Sequence, residues 1–317
     1  MRNLLIPASG DGIRFKSFGY FSPKPAIKVV KKPIIYWSLL GASRSIDFNR
    51  ILISTRTDHE PEISEAIKFS VNNLNTPSPE VLQLNSKTRG PAETIYKIIK
   101  NAQNLGKPIE GEIYCLDSDV YLSYSQKNVT WEDSEECFVV TSISTHPQHS
   151  YVKYIGKRVI DIKEKVKISE RAVAGCYIFK SAETYLNLYQ KAEEKLSQSS
   201  EIYLSDVVKI SVDNGTCYKI DSDSHISIGT PKELKNSKKY LKKLDHEFKK
   251  IQGGSGATII EKLDANLGVK AVFKSSYGKS AENLKHQMDF MSENQDTFKF
   301  PKIYSFTSSN KYFSYSM

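Results

Sequence analysis

Along the first half of the chain, short apolar runs of strand length alternate with longer stretches whose apolar positions recur at helical spacing. Asn3-Leu-Leu-Ile6, Arg50-Ile-Leu-Ile-Ser-Thr55, Val81-Leu-Gln-Leu84 and Glu112-Ile-Tyr-Cys-Leu116 predict strands. Ile34 to Ser45, Pro61 to Asn72 and Ala92 to Leu105 predict helices between them. That alternation predicts βαβ units and a largely parallel sheet, whose ligands gather beyond the carboxyl ends of the strands. From Cys137 onward the rhythm changes to paired strands. Tyr151-Val-Lys-Tyr-Ile155 and Arg158-Val-Ile-Asp-Ile162 flank Gly156-Lys157, a hairpin signal, so an antiparallel extension of the sheet is expected.

After Thr230-Pro231, lysines recur at helical spacing from Lys232 to Lys250, which predicts a solvated helix face that Gly253-Gly-Ser-Gly256 terminates. Thr258-Ile-Ile260, Gly268-Val-Lys-Ala-Val-Phe-Lys274 and a helix around Ala281 to Met291 follow. The expected organisation is a domain over residues 1–235, a lysine-rich helical linker over 236–252 and a small α+β unit over 253–317. A length of 317 residues suits more than one domain, at roughly 100 to 200 residues each.

Composition narrows the class. A hydrophobic fraction of 39% and a charged fraction of 26% are those of a globular protein, and no apolar run approaches the roughly 20 residues that span a bilayer. The apolar start, Asn3 to Pro7, is too short for a signal peptide, so a cytoplasmic location and no membrane partner are expected. Cys115, Cys137, Cys176 and Cys217 stand singly in apolar surroundings, without a CxxC pair, and are expected to be buried free thiols. The net charge of +9 is concentrated in the lysine-rich stretch and lacks a basic patch interleaved with aromatics. Anionic small molecules are therefore the expected partners, and nucleic acid is not.

The densest chemistry follows the first strand. Ile6-Pro-Ala8-Ser9-Gly10-Asp11-Gly12-Ile-Arg14-Phe15 is a glycine-rich turn, and Ser22-Pro23-Lys24-Pro25 comes soon after. Glycines let backbone N–H groups approach phosphate oxygens closely, and Arg14 and Lys24 supply the cations that neutralise a leaving pyrophosphate. A plain tight turn would need neither the arginine two residues after Gly12 nor a lysine between two prolines. A second concentration is Asp117-Ser-Asp119 at the end of an apolar strand, where paired carboxylates suit a hard divalent cation held against phosphates.

These segments resemble the sugar-phosphate nucleotidyltransferase family, with its G-x-G-x-R-[FL] turn followed by P-K-P. Later segments are similar in the same order: Ile162-Lys-Glu164-Lys165 to an E-K element, Ala174-Gly175-Cys-Tyr177-Ile-Phe179 to an A-G-x-Y-x-F strand, and Ile228-Gly229-Thr230-Pro231 to a closing I-G-T-P. Together they run from residue 3 to about 234. The resemblance implies an α/β fold with a Rossmann-like mixed, mainly parallel sheet, and a Mg²⁺-dependent attack of a sugar or polyol phosphate on the α-phosphorus of CTP, UTP or GTP. Products of that kind would serve surface-polysaccharide synthesis. It implies catalytic roles for Arg14 and Lys24, and nucleotide contacts from Ala8, Ser9, Gly10, Asp11, Gly12, Arg89, Gly90 and Asp117. Acceptor contacts would come from Glu164, Lys165 and Gly175, and Asp119 would be a metal ligand. Gly90-Pro-Ala-Glu-Thr94 is similar to the segment that meets the base, with Thr88 or Asn85 beside it.

The family's W-x-D-I-G-T-P is replaced by His225-Ile-Ser227-Ile-Gly-Thr-Pro231, with serine where a second metal carboxylate is expected. The second carboxylate is then either absent or supplied by Asp223 or Asp221 nearby in sequence. His146 and His149 flank Pro147 without a metal-ligand partner set nearby, leaving acceptor-side and surface roles open. In Glu201-Ile-Tyr203-Leu-Ser205-Asp206, Ser205 or Asp206 is expected to cap a helix.

The C-terminal segment resembles the N-lobe of an aminoglycoside- or choline-kinase-like phosphotransferase, with Lys274 as its strand lysine and Phe300-Pro-Lys-Ile-Tyr304 as its next strand. No later catalytic-loop aspartate precedes Met317, so a piece of a longer bifunctional enzyme is expected. Two other functions fit parts of the pattern. Asp117-x-Asp119 also satisfies the D-x-D of metal-dependent glycosyltransferases, and Ser227 would suit a non-catalytic nucleotide-binding module.

Overall fold

The computed structural model describes residues 1–74, 76–125, 129–199, 201–247, 249–251, 258–264, 269–277, 279–294, 300–303, 305–309 and 312–317. The chain forms two compact units, Met1–Ser70 with Thr76–Asn236, and Val71–Asn75 with Ser237–Met317.

In the larger unit the chain runs β1 (Arg2–Pro7), a single turn α1 (Ile13–Lys16), a small β2–β3 pair (Lys28–Val29, Lys32–Pro33), α2 (Ile34–Ser45), β4 (Arg50–Arg56), α3 (Glu60–Asn73), β5 (Glu80–Leu84), α4 (Pro91–Asn104) and β6 (Glu112–Leu116). β7 (Val120–Ser123), β8 (Cys137–Ile143), β9 (Tyr151–Ile155), β10 (Arg158–Lys163), β11 (Arg171–Phe179), α5 (Ala182–Lys195), α6 (Leu204–Asp213), β12 (Cys217–Asp221), β13 (Ser224–Ser227) and α7 (Pro231–Glu247) follow. Nine strands make one sheet in the order β5-β4-β1-β6-β11-β8-β12-β10-β9. The β5, β4, β1 and β6 half is parallel, as the alternating pattern predicts. β11 runs antiparallel to both β6 and β8, and the hairpin of β9 and β10 forms the far edge.

Helix formation follows burial. In α4, Ala92, Ile95, Ile98, Ile99 and Ala102 lie on one stripe and are fully buried in a core with Leu5, Cys115, Tyr185 and Val208. α2 has no polar face at all over most of its length, because it is covered on more than one side; even Ser38 is buried. Its polar groups hold the segment after β6: Ser38 Oγ accepts from Val120 N–H at 3.3 Å, and Ser45 Oγ accepts from Tyr124 N–H at 3.1 Å. The four cysteines are buried free thiols, as expected.

The sequence pattern does not reveal the two-stranded sheet of β7 and β13, in which Val120 opposes Ser227 and Ser123 opposes Ser224. Four-residue strands paired across a hundred positions leave no periodic signal of their own.

The second unit contains a five-stranded antiparallel sheet with the order β14-β15-β16-β18-β17, from β14 (Lys249–Ile251), β15 (Thr258–Asp264), β16 (Val269–Tyr277), β17 (Ser305–Ser309) and β18 (Tyr312–Ser316). α8 (Lys279–Glu293) lies between β16 and β17 in sequence, and its Ala281, Leu284, Met288 and Met291 pack with Phe313 and Tyr315. Two expectations change here. The lysine-rich helix stops at Glu247 and Lys249–Ile251 is a strand. Phe300 to Ile303 form no strand, which begins at Ser305 instead; Pro301 has no N–H to give a ladder. Gly253-Gly-Ser-Gly256, Gly268 and Tyr304 lie outside the described residues. Among the described residues no helix is long and apolar enough to cross a membrane.

Gly41 is the tightest point of α2: a Cβ there would stand 2.5 Å from Leu122 O and 2.6 Å from Leu122 N on β7. Gly41→Ala is expected to destabilise the larger unit by roughly 1–3 kcal/mol, read as an earlier urea-unfolding transition of the full chain.

Candidate active site at the carboxyl ends of β1 and β6

β1 pairs in parallel with β4 on one side and β6 on the other, so the loops that leave β1 and β6 emerge side by side. They wall a cleft of about 650 Å³ with Ala8, Ser9, Gly10, Asp11, Gly12, Arg14, Lys24, Arg89, Gly90, Asp117 and Asp119 along it. Most residues singled out in the sequence are therefore brought together.

The glycine turn is anchored at both ends. Ala8 N–H donates to Ser54 O at 3.1 Å, and Gly12, in the left-handed region at φ 63°, turns its carbonyl back to accept from Phe15 and Lys16 N–H. Between them Asp11 is held by Arg56 and by Lys87, whose Nζ lies 2.8 Å from Asp11 Oδ2. The hydrogen bond from Lys87, helped by the charges of Lys87 and Arg56, holds the Asp11 carboxyl below the usual carboxylate range. A side chain so engaged latches the loop in place along the cleft.

Lys24 crosses the cleft to Asp119, Nζ to Oδ2 at 2.8 Å, with both side chains partly buried. Burial pushes the Asp119 carboxyl upward, but the charge and hydrogen bond of Lys24, with Arg14 beyond, hold it below its ordinary value. Asp117 lacks such a partner, and burial together with the Asp119 charge raises it. Its place is made by Gly175, at φ 80°, where β11 bulges against β8: a Cβ there would stand 2.9 Å from Asp117 Oδ2. Gly175 O also accepts from Asp117 N–H at 2.8 Å.

Arg89 and Gly90 serve the wall of the cleft. Arg89 pairs with Glu93 at 3.4 Å and with Glu193, so its guanidinium is already neutralised. Gly90, at φ 127°, admits the chain at Ile202, whose carbonyl would lie 2.6 Å from a Cβ. Thr88 Oγ1 hydrogen-bonds Thr94 Oγ1 at 2.7 Å, and Asn85 Oδ1 accepts from Thr57 at 3.2 Å.

Glu164 Oε2 accepts from Ser205 Oγ at 2.8 Å and from Ser150. Ser205 thus orients Glu164, and the helix cap is made by Asp206, whose carboxylate accepts from Tyr203 N–H at 2.8 Å. Lys165 occupies the left-handed region at φ 54°, a conformation that costs a lysine about 1 kcal/mol and persists where the surroundings require it. Its Nζ donates to Tyr203 OH at 2.6 Å and sits 4.2 Å over that ring. Tyr203 and Glu201 line the same cleft, so they join the site; sequence reading assigned them only to a helix start.

Neither acidic replacement for the family's second carboxylate reaches Asp119. Asp221 is bound to Lys219, Thr141 and Arg171 at the end of β12. Asp223 adjoins Ser123, at the opposite end of the β7–β13 ladder from Asp119. Ser227 does adjoin it, beside Val120, and Ile228 N–H donates to Asp119 O at 2.9 Å. The carboxylate that arrives is Glu233 of α7: a Cβ on Gly229 would lie 2.5 Å from Asp119 Oδ2 and 3.6 Å from Glu233 Oε2. Its signal was the helix-capping pattern Thr230-x-x-Glu233, since Thr230 Oγ1 accepts from Glu233 N–H at 3.2 Å.

A smaller cavity of about 150 Å³ opens beside Asp119 and is lined also by Gly175, His146, His149, His225 and Glu233. Burial, and next the neighbouring His149, push the His225 imidazole down to about 4, and Ser142 Oγ lies 2.9 Å from its Nδ1. Burial and His146 lower His149 as well, so both rings are neutral near pH 7.

The fold resembles solved structures at low identity. A nucleoside-diphosphate-sugar pyrophosphorylase from Vibrio cholerae RC9 is 22% identical, with a TM-score of 0.63, over 74% of this chain and 99% of that one. An inositol-1-phosphate CTP transferase from T. maritima is 17% identical, with a TM-score of 0.60, over 76% of this chain and 94% of that one. Among curated protein sequences none matches. The family model for nucleotidyl transferases matches residues 4–243, which hold every element of the cleft, and the chain belongs to that family.

Proposed function

We propose that the cleft transfers a nucleotidyl group from CTP, UTP or GTP to a phosphorylated sugar or polyol. A phosphate oxygen of the acceptor bonds to the α-phosphorus, the bond from that phosphorus to the bridging oxygen breaks, and pyrophosphate leaves. The observation that carries this reading is the convergence of the glycine turn, Arg14, Lys24 and Asp119 at the ends of two adjacent parallel strands. The inositol-phosphate and sugar specificities in the names of the two structural neighbours agree with such an acceptor. A cytoplasmic setting, where NTPs are available, suits it.

Backbone N–H groups of residues 9–12 and the cations of Arg14 and Lys24 would receive the triphosphate, and Asp11, tied to Arg56 and Lys87, holds that turn in shape. Lys24 balances Asp119 in the free protein and is well placed to turn to the leaving pyrophosphate. Asp119 and Asp117 are hard oxygen donors that line the cleft together just past the end of β6, and they suit Mg²⁺. When bound there, Mg²⁺ supplies neutralisation of charge on the phosphate oxygens. Glu164, fixed by Ser205, and Lys165, resting on Tyr203, would position acceptor hydroxyl and phosphate groups.

The second unit supports a further part of the proposal, a kinase-like N-lobe over residues 253–317 in a longer transferase and kinase. Its support is the five-stranded antiparallel sheet, a helix between the third and fourth strands, and Lys274 on the third, where kinases carry the phosphate-binding lysine. A kinase that phosphorylates an alcohol would supply the acceptor for the first unit.

Incubating the full chain with each NTP, Mg²⁺ and a panel of sugar and polyol phosphates is expected to release pyrophosphate with one base and one acceptor class; no release with any pair would sink the proposal. Lys24→Ala is expected to lower the turnover rate about 100-fold to 1,000-fold in protein that still folds, with an earlier unfolding transition because Asp119 loses its partner. Near-normal turnover would remove Lys24 from the chemistry. Gly229→Ala, which drives a methyl group against Asp119, is expected to cost about 100-fold through misplacement of that carboxylate.

A further inference from the structure

We propose that His146, His149 and Glu233 form a binding site for a divalent transition metal of the Zn²⁺ class, with an open coordination position toward the small cavity beside Asp119. One ligand atom from each of the three lies within 4.8 Å of the others. Two imidazole nitrogens and one carboxylate favour borderline metals such as Zn²⁺ or Co²⁺ over Mg²⁺, which prefers oxygen. The site is thus chemically distinct from the carboxylates of Asp117 and Asp119.

The ligands are oriented as metal ligands are, through the atoms that do not bind. His149 Nδ1 lies 2.9 Å from Ser144 Oγ, which also accepts from His146 N–H at 3.1 Å. With Nδ1–H donating to that hydroxyl, His149 Nε2 keeps its lone pair for a metal. Glu233 Oε2 accepts from Thr230 Oγ1 at 2.9 Å, which leaves Oε1 available, and His146 Nε2 stands 3.8 Å from that Oε1. The loop that carries both histidines is tied down by Tyr151 OH, which donates to His146 O at 2.9 Å. Metal entry would exchange one weak contact, Gln148 N–H to His146 Nδ1 at 3.3 Å. Ligands of a four-coordinate site lie about 3.3 Å apart at bond lengths near 2.0–2.1 Å, so atoms within 4.8 Å of one another close by up to about 1.5 Å. The His146 side chain, 35% exposed, has the freedom to do so. His225 lies beside His149, with ring centroids 6.0 Å apart and planes tilted by 59°, and falls outside the group of three.

Three protein ligands leave one position of a tetrahedral metal open. It faces a cavity of about 150 Å³ shared with Asp119 and Arg14, where an anionic or hydroxyl group of the acceptor would bind. That role rests on the transfer reading; the metal site does not.

The full chain, stripped with a chelator, is titrated with Zn²⁺ by calorimetry and with Co²⁺ by visible absorption. One equivalent of Zn²⁺ retained in excess Mg²⁺, and a strong Co²⁺ band of four-coordinate nitrogen ligation, are expected. His149→Ala and Glu233→Gln are expected to weaken Zn²⁺ binding by more than about 100-fold, and Ser144→Ala by about 10-fold to 100-fold. His286→Ala, at an exposed position of α8, is expected to leave it unchanged. Should His149→Ala fail to fold, His149→Asn takes its place. Absent binding, binding displaced by Mg²⁺, or binding indifferent to His149 and Glu233 overturns the site. Zn²⁺ binding without pyrophosphate release on any substrate supports the site and overturns the transfer reading; release without Zn²⁺ binding does the reverse.

Discussion

The parallel pairing of β1 with β6 is the constraint on which the site depends. Leu5 opposite Cys115 fixes a register in which the glycine turn and Asp117-Ser-Asp119 leave the sheet as neighbours. Side chains alternate faces along a strand, so a slip of one residue would turn both apolar strands inside out; with both faces covered, the register has little freedom. Lys24 and Asp119, 95 positions apart, then meet at 2.8 Å without either loop being long enough to search for the other. The helix α2 secures the second half of that arrangement, because Ser38 holds Val120 immediately after Asp119 and Gly41 lets β7 lie against the helix backbone.

Charge explains why the cleft is stable without its substrates. Carboxylates as close as Asp117 and Asp119 repel, and removing them from water costs several kcal/mol each if they stay ionised and unpaired. Lys24 pairs one of them, and burial raises the other toward its neutral form. A polyanionic substrate with its metal would replace these internal balances by its own. The same economy governs Arg89, Asp11 and Lys165, which are each paired within the protein and frame the cleft.

The parallel half of the sheet was legible in the sequence because strands such as Leu4 to Ile6 and helices such as α4 carry strong periodic patterns, and their order leaves few topologies. The glycine turn, Lys24 and Asp119 were legible because their chemistry is local to short motifs. What stayed hidden depends on distant pairing. β7 and β13 are too short to show a period, and Tyr203 reaches the cleft because the chain at Ile202 packs against Gly90. Asp223 looked suitable by its nearness to Ser227 in sequence, yet four residues of extended chain carry it about 13 Å away at roughly 3.3 Å each. Glu233, six residues beyond Ser227, comes back because a helix begins at Pro231 and its first turn folds over Gly229.

That return gives Ser227 a physical account. A carboxylate at Ser227 would stand on the β13 strand next to Asp119, as it does in the family's W-x-D-I-G-T-P. With Glu233 already supplying a negative charge at Gly229, a further one would have to be balanced by more than Lys24 and Arg14, the cations whose charges lower Asp119. Serine removes that charge while keeping the strand's pairing with Val120. The carboxylate moved to a helix start can also turn toward His146, which a residue fixed on β13 beside Asp119 has no comparable freedom to do. Glu233 thus stands between Asp119, across Gly229, and His146, whose Nε2 is 3.8 Å from its Oε1.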